Sequence, residues 1–177
     1  MDGVRLNNSV FRDGPNQYWN TIDTLSIQSI ELVRGQGSAL YGSDAIGCTL
    51  NVLTKRPVYS DSEGAIHGGR IYGRYATAED SYTGRVEGYI SEKDHYGLLL
   101  GFSRKDYEDL TVAGLGRQLN TGYDEWDADA KFEYFLKPDT RLTVLHQQVH
   151  QNDAWRTHKT IFGTSFPGST IGDEQRR

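Results

Sequence analysis

The chain has 177 residues, a formal charge of −5 and a hydrophobic fraction of 36%, so it carries no basic surplus for nucleic acid. No apolar run approaches the roughly 20 residues that a membrane-spanning helix needs, which excludes a helical membrane protein. A transmembrane β-barrel stays open, because only alternate strand residues face lipid and mean hydropathy, here −0.64, can remain low; the many glycines and tyrosines suit turns and membrane interfaces.

In chain order, Asp2-Gly3-Val4-Arg5-Leu6 opens as an extended segment, and Val10 to Asn20 joins it to the next strand with Arg12, Asp13, Asn16, Gln17, Tyr18 and Trp19. Ile30 to Lys55 then reads as strand, glycine turn, short helical turn, strand. Ile30, Leu32 and the β-branched Val33 favour extension, Gly35 and Gly37 permit backbone angles closed to other residues, and Leu50-Asn51-Val52-Leu53-Thr54 returns as a second strand. A phosphate cradle does not fit. The dinucleotide fingerprint needs its third glycine three residues after the second, whereas Ser38-Ala39-Leu40-Tyr41 separates Gly37 from Gly42, and no Gly-Lys-Ser or Gly-Lys-Thr lies near Gly42. Cys48 is the single cysteine, so no internal disulfide is possible, and a small buried side chain is expected there.

These residues, in this order, closely resemble the end of the plug domain of TonB-dependent outer-membrane receptors. Asp2 to Leu6 resembles the preceding plug strand, and Lys55-Arg56-Pro57 resembles the exit from plug to barrel.

From residue 64 onward the hydrophobic period is close to two, in segments near 64–76, 82–92, 96–107, 124–136 and 140–151. In the fourth, Trp126, Ala128, Ala130, Phe132, Tyr134 and Leu136 share one face, and Asp127, Asp129, Lys131 and Glu133 the other, as an apolar lipid face opposite an aqueous lumen requires. The third sets Tyr96, Leu98, Leu100 and Phe102 against Ser103 and Lys105, with Leu99 breaking the polar side. In the second, Tyr82, Gly84, Val86, Gly88 and Ile90 oppose Arg85, Glu87 and Ser91. The first and fifth give no clear outward face. Lys93-Asp94-His95 and Lys137-Pro138-Asp139 read as tight periplasmic turns, and Ala76 to Ser81, Glu108 to Tyr123 and the chain after about Asn152 as outer connections. A soluble antiparallel sandwich shares the period-two pattern and is the competing architecture.

The resemblance implies an α+β plug remnant over residues 1–57, followed over 58–177 by about the first five antiparallel strands of a transmembrane β-barrel of about 22 strands, mainly β overall and truncated. Met1 falls where the family has an interior strand residue, so the expectation is a piece of a longer receptor whose signal peptide and TonB box precede it. The implied function is energised uptake, without enzymatic activity, in the outer membrane of a Gram-negative-type bacterium. Partners would be the TonB complex, outer-membrane lipid and a small-molecule or haemoprotein ligand, with no nucleic acid and no resident cofactor.

In such receptors loops like Val10–Asn20 form the floor of the ligand site. Arg12 would then meet an anion, Tyr18 and Trp19 would stack on an aromatic ligand, and Asn16 and Gln17 would supply directed hydrogen bonds; alternatively Tyr18 and Trp19 pack the plug and Arg12 pairs with Asp13. Glu31 and Arg34 match charges that lock plug to barrel wall, and Gly35, Gly37, Gly42 and Gly47 are the turn glycines. Asp2 to Asp23 and Asn152 to Thr160 look most like receptors for haem or haem-carrying proteins, with siderophores next, then cobalamin or oligosaccharides. No metal site is expected: His146 and His150 share a strand face but lie roughly 13 Å apart at about 3.3 Å per residue, and His67, His95 and His158 lack ligand-like neighbours. A soluble binding module remains the alternative from another class; no nucleophile, base and orienting acid cluster in any motif.

Overall fold

Alternating β-branched and apolar residues build strands in both parts of the chain. The computed structural model describes residues 1–6, 21–43, 45, 47–114 and 116–154, and it divides into two compact units, Met1–Pro57 and Val58–Arg177. In the first unit a 3-10 turn, Thr24–Ser26, is capped by the Asp23 side chain, which accepts from Leu25 N. It leads into β1 (Ile27–Arg34), a one-turn helix α1 (Ser38–Tyr41) and β2 (Cys48–Thr54). β1 and β2 pair antiparallel, from Arg34 opposite Cys48 to Ile27 opposite Thr54, with an irregularity between Ile27 and Ser29. Ile22, Ala45 and Val52 are the buried apolar residues of this unit.

Two expectations for this unit are corrected. Asp2–Leu6 is not a strand: Asp2 and Gly3 have φ of 44° and 83°, angles that turn the chain instead of extending it. The segment is held by Asp2, whose N–H donates to Val52 O and whose carboxylate accepts from Thr54 N at 3.1 Å and Thr54 Oγ1 at 2.6 Å. Cys48, the first residue of β2, is exposed, not buried.

The second unit holds β3 (Ile66–Ala76), β4 (Ser81–Glu92), β5 (Tyr96–Tyr107), a hairpin of β6 (Thr111–Val112) and β7 (Gly116–Arg117), then β8 (Tyr123–Lys137) and β9 (Thr140–Asn152). The five long strands form one antiparallel sheet in the order β3-β4-β5-β8-β9. The sheet is open: among the described residues it does not close into a barrel. The connection expected as plain loop from Glu108 to Tyr123 contains the β6–β7 hairpin, and the connection from Ala76 to Ser81 is a tight turn. The two ends touch where Thr111 N donates to Ala78 O. Asp109 organises the longer connection, its Oδ1 accepting from Thr121 N and Gly122 N and its Oδ2 meeting Arg117 Nε at 3.1 Å.

Ahead of β3, Asp61 pairs with Lys93 in the β4–β5 turn. The hydrogen bond and charge of the Lys93 ammonium hold the Asp61 carboxyl below its ordinary 3.8, and Asp61 in turn raises Lys93 above its ordinary 10.5. A lowered carboxyl stabilises the folded state above its ordinary pKa and ceases to as pH falls through the lowered one; a raised ammonium stabilises below 10.5 and ceases to as pH rises further. The stability difference between wild type and Lys93→Ala is therefore expected to be constant from about pH 5 to pH 9 and to shrink as pH falls below Asp61's ordinary 3.8. Urea midpoints across that range measure it, and since both groups are exposed the difference is small.

Candidate functional site

Register decides which side chains share a face. Residues directly opposite in a sheet point the same way, and the ladder runs Ile71–Val86–Phe102–Ala128–Gln148 in one row and Tyr72–Arg85–Ser103–Asp127–Val149 in the next. The expected faces of β4, β5 and β8 are thus present, and the two strands without a clear expectation are settled. On β3 the face shared with Val86 carries His67, Gly69, Ile71, Gly73 and Tyr75; on β9 it carries Leu142, Val144, His146, Gln148 and His150.

The apolar face is exposed. Ile71 (85%), Val86, Ile90, Leu100 (52%), Phe102, Phe132, Tyr134, Leu142 and Val144 (54%) all lie on it. The opposite face is charged and buried: Ser81, Thr83, Arg85, Ser91, Ser103, Lys105, Glu125, Asp127, Asp129, Lys131 and Glu133. This ordering is the reverse of a water-soluble sheet, in which the apolar face is covered. Among the described residues nothing packs on that face as the second sheet of a sandwich would.

The apolar part of the outward face is not level across the strands. On β3 it is Ile71 and Tyr75, toward the 77–80 turn; on β9 it is Leu142 and Val144, toward the opposite end, with His146, Gln148 and His150 above them. Aromatic rings mark both ends, Tyr75 against Tyr82 (4.9 Å between centroids) and Trp126 between Phe102 and His150 (6.5 and 5.4 Å) at one, Tyr96 and Tyr134 at the other.

Ion pairs hold the inner face together. Arg85 is bidentate to Asp129 (Nη1–Oδ1 2.7 Å, Nη2–Oδ2 3.1 Å), and also donates to Glu87 Oε2 (2.7 Å) and Ser103 Oγ (3.1 Å). Lys105 Nζ lies 2.6 Å from Glu125 and 2.8 Å from Asp127. Gly101, between Arg85 and Asp129, leaves the room for this pair: a Cβ there would overlap Arg85 Nη2 and Asp129 Oδ1. Alternation placed these charges on one face but named no partners, since cross-strand pairing depends on register that the sequence does not display. Leu99, the apolar interruption, is buried on this same face.

In the first unit, Gly35 N donates to Gly47 O (3.0 Å) and Gly37 N to Ala45 O (2.9 Å), closing the turn between β1 and β2 around α1. Gly42 ends α1 at φ 92° and ψ 171°, a region essentially confined to glycine, whereas Gly47 has no such constraint. Gly42→Ala is expected to cost roughly 1–3 kcal/mol and Gly47→Ala much less, compared by urea midpoints of the two variants. Glu31 accepts from Asn51 Nδ2 at 2.9 Å across the β1–β2 ladder, and Arg34, exposed, stands opposite Cys48. Val4, Ile22, Tyr41, Cys48, Leu50 and Val52 line part of a cavity of about 580 Å³ beside β2.

Arg12, Asn16, Gln17, Tyr18, Trp19 and His158 lie outside the described residues. His95 Nδ1 is 3.3 Å from Glu92, and His150 bonds Asn152 Oδ1 at 3.0 Å. No group of three or more metal-type ligands occurs among the described residues.

Residues 1–49 match the TonB-dependent Receptor Plug Domain family. The chain is 36% identical over 95 residues to the pesticin receptors of Yersinia pestis and Yersinia enterocolitica, a stretch covering 52% of this chain and 13% of each receptor. It is 41% identical over 54 residues to the vitamin B12 transporter BtuB of Photobacterium profundum, covering 30% of this chain and 8% of that protein. The chain thus spans only a small part of the curated relatives it matches. No solved structure matches it significantly.

Proposed function

We propose that this chain is the plug-to-barrel portion of a TonB-dependent outer-membrane receptor, a transporter and not an enzyme. The observation that carries the reading is the inverted sheet of the second unit, apolar and exposed on one face, charged and buried on the other, following a stretch that matches the plug domain. Such a sheet suits lipid outside and a polar lumen inside. Short turns at one end and the hairpin-bearing connection at the other support placing the 93–95 and 138–139 turns in the periplasm. Because the outer membrane holds no ATP, work must reach the plug by contact with the TonB complex.

Within that class the cargo is an iron-containing ligand, haem or a haemoprotein first and a ferric siderophore second. The wording of Asp2–Asp23 and Asn152–Thr160 supports this. Arg12, Asn16, Gln17, Tyr18 and Trp19 are its contacts, and Glu31 and Arg34 the charges that lock the plug. Identity to a vitamin B12 transporter favours cobalamin as the second reading. Growth assays decide: iron-starved cells carrying the full-length receptor are supplied with haem or purified siderophores, and cobalamin-requiring cells with vitamin B12, each with and without TonB. TonB-dependent growth on haem supports the first cargo, growth on vitamin B12 alone replaces it with the second, and growth indifferent to TonB overturns the receptor reading.

A further inference from the structure

The segment between Pro57 and the first strand of the sheet is tied down at four points. Ser91 Oγ, on β4, donates to Val58 O. Tyr59 Oη donates to Glu133 Oε2 on β8 at 2.9 Å, and the Tyr59 ring meets Phe135 edge to face with centroids 5.6 Å apart. Asp61 pairs with Lys93 in the β4–β5 turn. Two of the anchoring side chains, Ser91 and Glu133, are 0% and 1% exposed. They belong to one ladder row, joined through Gly97 of β5, which has no side chain to stand in the way. Glu133 also faces Arg141 of β9 at 3.7 Å, and the Arg141 guanidinium lies 5.9 Å over the Phe135 ring. Four residues of linker are therefore fastened to β4 and β8, and through Glu133 to β9, without involving β3.

β3 is an edge strand among the described residues, paired only with β4, and Ile66, its first residue, sits opposite Ser91. A pull arriving along the chain from residue 57 would, without the ties, load the Ile66 end of β3 directly and peel β3 from β4 one hydrogen bond at a time. With them, the load reaches Val58 and Tyr59 first and spreads over strands further into the sheet. We infer that Val58–Asp61 is a mechanical stop, which confines force-driven unfolding to residues 1–57 and keeps β3 in the sheet. The inference rests on the receptor reading only for the source of the force.

The test is single-molecule pulling on the full-length receptor in a lipid bilayer, with the handle on Met1→Cys. At about 3.6 Å per extended residue, release up to the stop lengthens the chain by about 205 Å, and release through Ala76 by about 270 Å. The shorter step is expected for wild type and for Glu133→Gln, whose side-chain oxygen still accepts from Tyr59. The longer step is expected for Glu133→Leu and for Tyr59→Phe combined with Ser91→Ala. Tyr59→Phe keeps the ring against Phe135, so this variant loses the two buried hydrogen bonds without emptying the packing. The same step length in wild type and in both tie-breaking variants would overturn the stop, as would a longer step in wild type itself. TonB-dependent growth reports on the receptor reading and step length on the stop, so the two can fail separately.

Discussion

Asp129→Ala is expected to lower the stability of the sheet by about 1–3 kcal/mol, the cost of leaving part of a buried guanidinium fork without its acceptors. Arg85 is 3% exposed and meets Asp129 through two hydrogen bonds of 2.7 and 3.1 Å. Removing the carboxylate leaves the guanidinium in place with Glu87 and Ser103, which satisfy other donors but not the fork that faced Asp129. The matched replacement of both partners, Arg85→Met with Asp129→Leu, is expected to recover most of the loss, because no guanidinium N–H is then left facing a missing carboxylate while Glu87 keeps Arg70. Gly101→Ala should disturb the same pair without removing either charge, by placing a methyl where Arg85 Nη2 and Asp129 Oδ1 now meet; overpacking of this kind costs typically about 1–3 kcal/mol. Urea titrations of the folded protein in lipid vesicles, followed by tryptophan fluorescence, measure all four proteins. Equal stability of Asp129→Ala and wild type would show that the inner face is wet enough to solvate the guanidinium.

Leu100→Arg is expected to cost about 2–4 kcal/mol in a bilayer, the penalty for arginine at mid-depth on the lipid side of a barrel. Leu100 is 52% exposed on the apolar face, between Gly88 and Ala130 in its row. In water the same change, on an already exposed side chain, would be nearly neutral and would improve solubility. Leu110→Arg is the control, exposed to 39% in the β5–β8 connection and expected to change stability little in either setting. A Leu100→Arg protein as stable in vesicles as wild type would contradict lipid contact and favour a soluble module.

Strand positions and faces were legible in the sequence wherever apolar and charged residues alternate without interruption. In β8 the run from Trp126 to Leu136 fixed both the extent of the strand and its outward side, because a period of two has no competing explanation at that length. β3 resisted, since the glycines at 68, 69 and 73 contribute no hydropathy; the Tyr89 ring, lying against Gly68, fills part of that space from the neighbouring strand. β9 resisted for another reason, its outward side changing from Leu142 and Val144 to His146 and His150 partway along. Asp2–Leu6 misled because its resemblance to a plug strand says nothing of the turn chemistry of Asp2-Gly3, which decides its conformation. The Arg85–Asp129 pair spans 44 positions in sequence and the ties of Tyr59 even more, so only the fold could bring them together.

If the proposed receptor reading holds, the change of character along β9 follows from how a flat slab of hydrocarbon must cut a slanted ladder. Going from β3 to β9, the centre of the apolar stretch slips against the hydrogen-bonded rows, from the level of Gly73 and His150, midway between Ile71 and Tyr75, to that of Leu142 and Val144. That is about 1.75 residues for each strand crossed, or roughly 6 Å along the strand for about 4.8 Å sideways. On the receptor reading the strands would lean roughly 50° from the bilayer normal, slightly beyond the about 35–45° found in transmembrane barrels. His146, Gln148 and His150 are in this geometry above the hydrocarbon, at the headgroups, while the residues in their own ladder rows on β3 and β4 are still submerged.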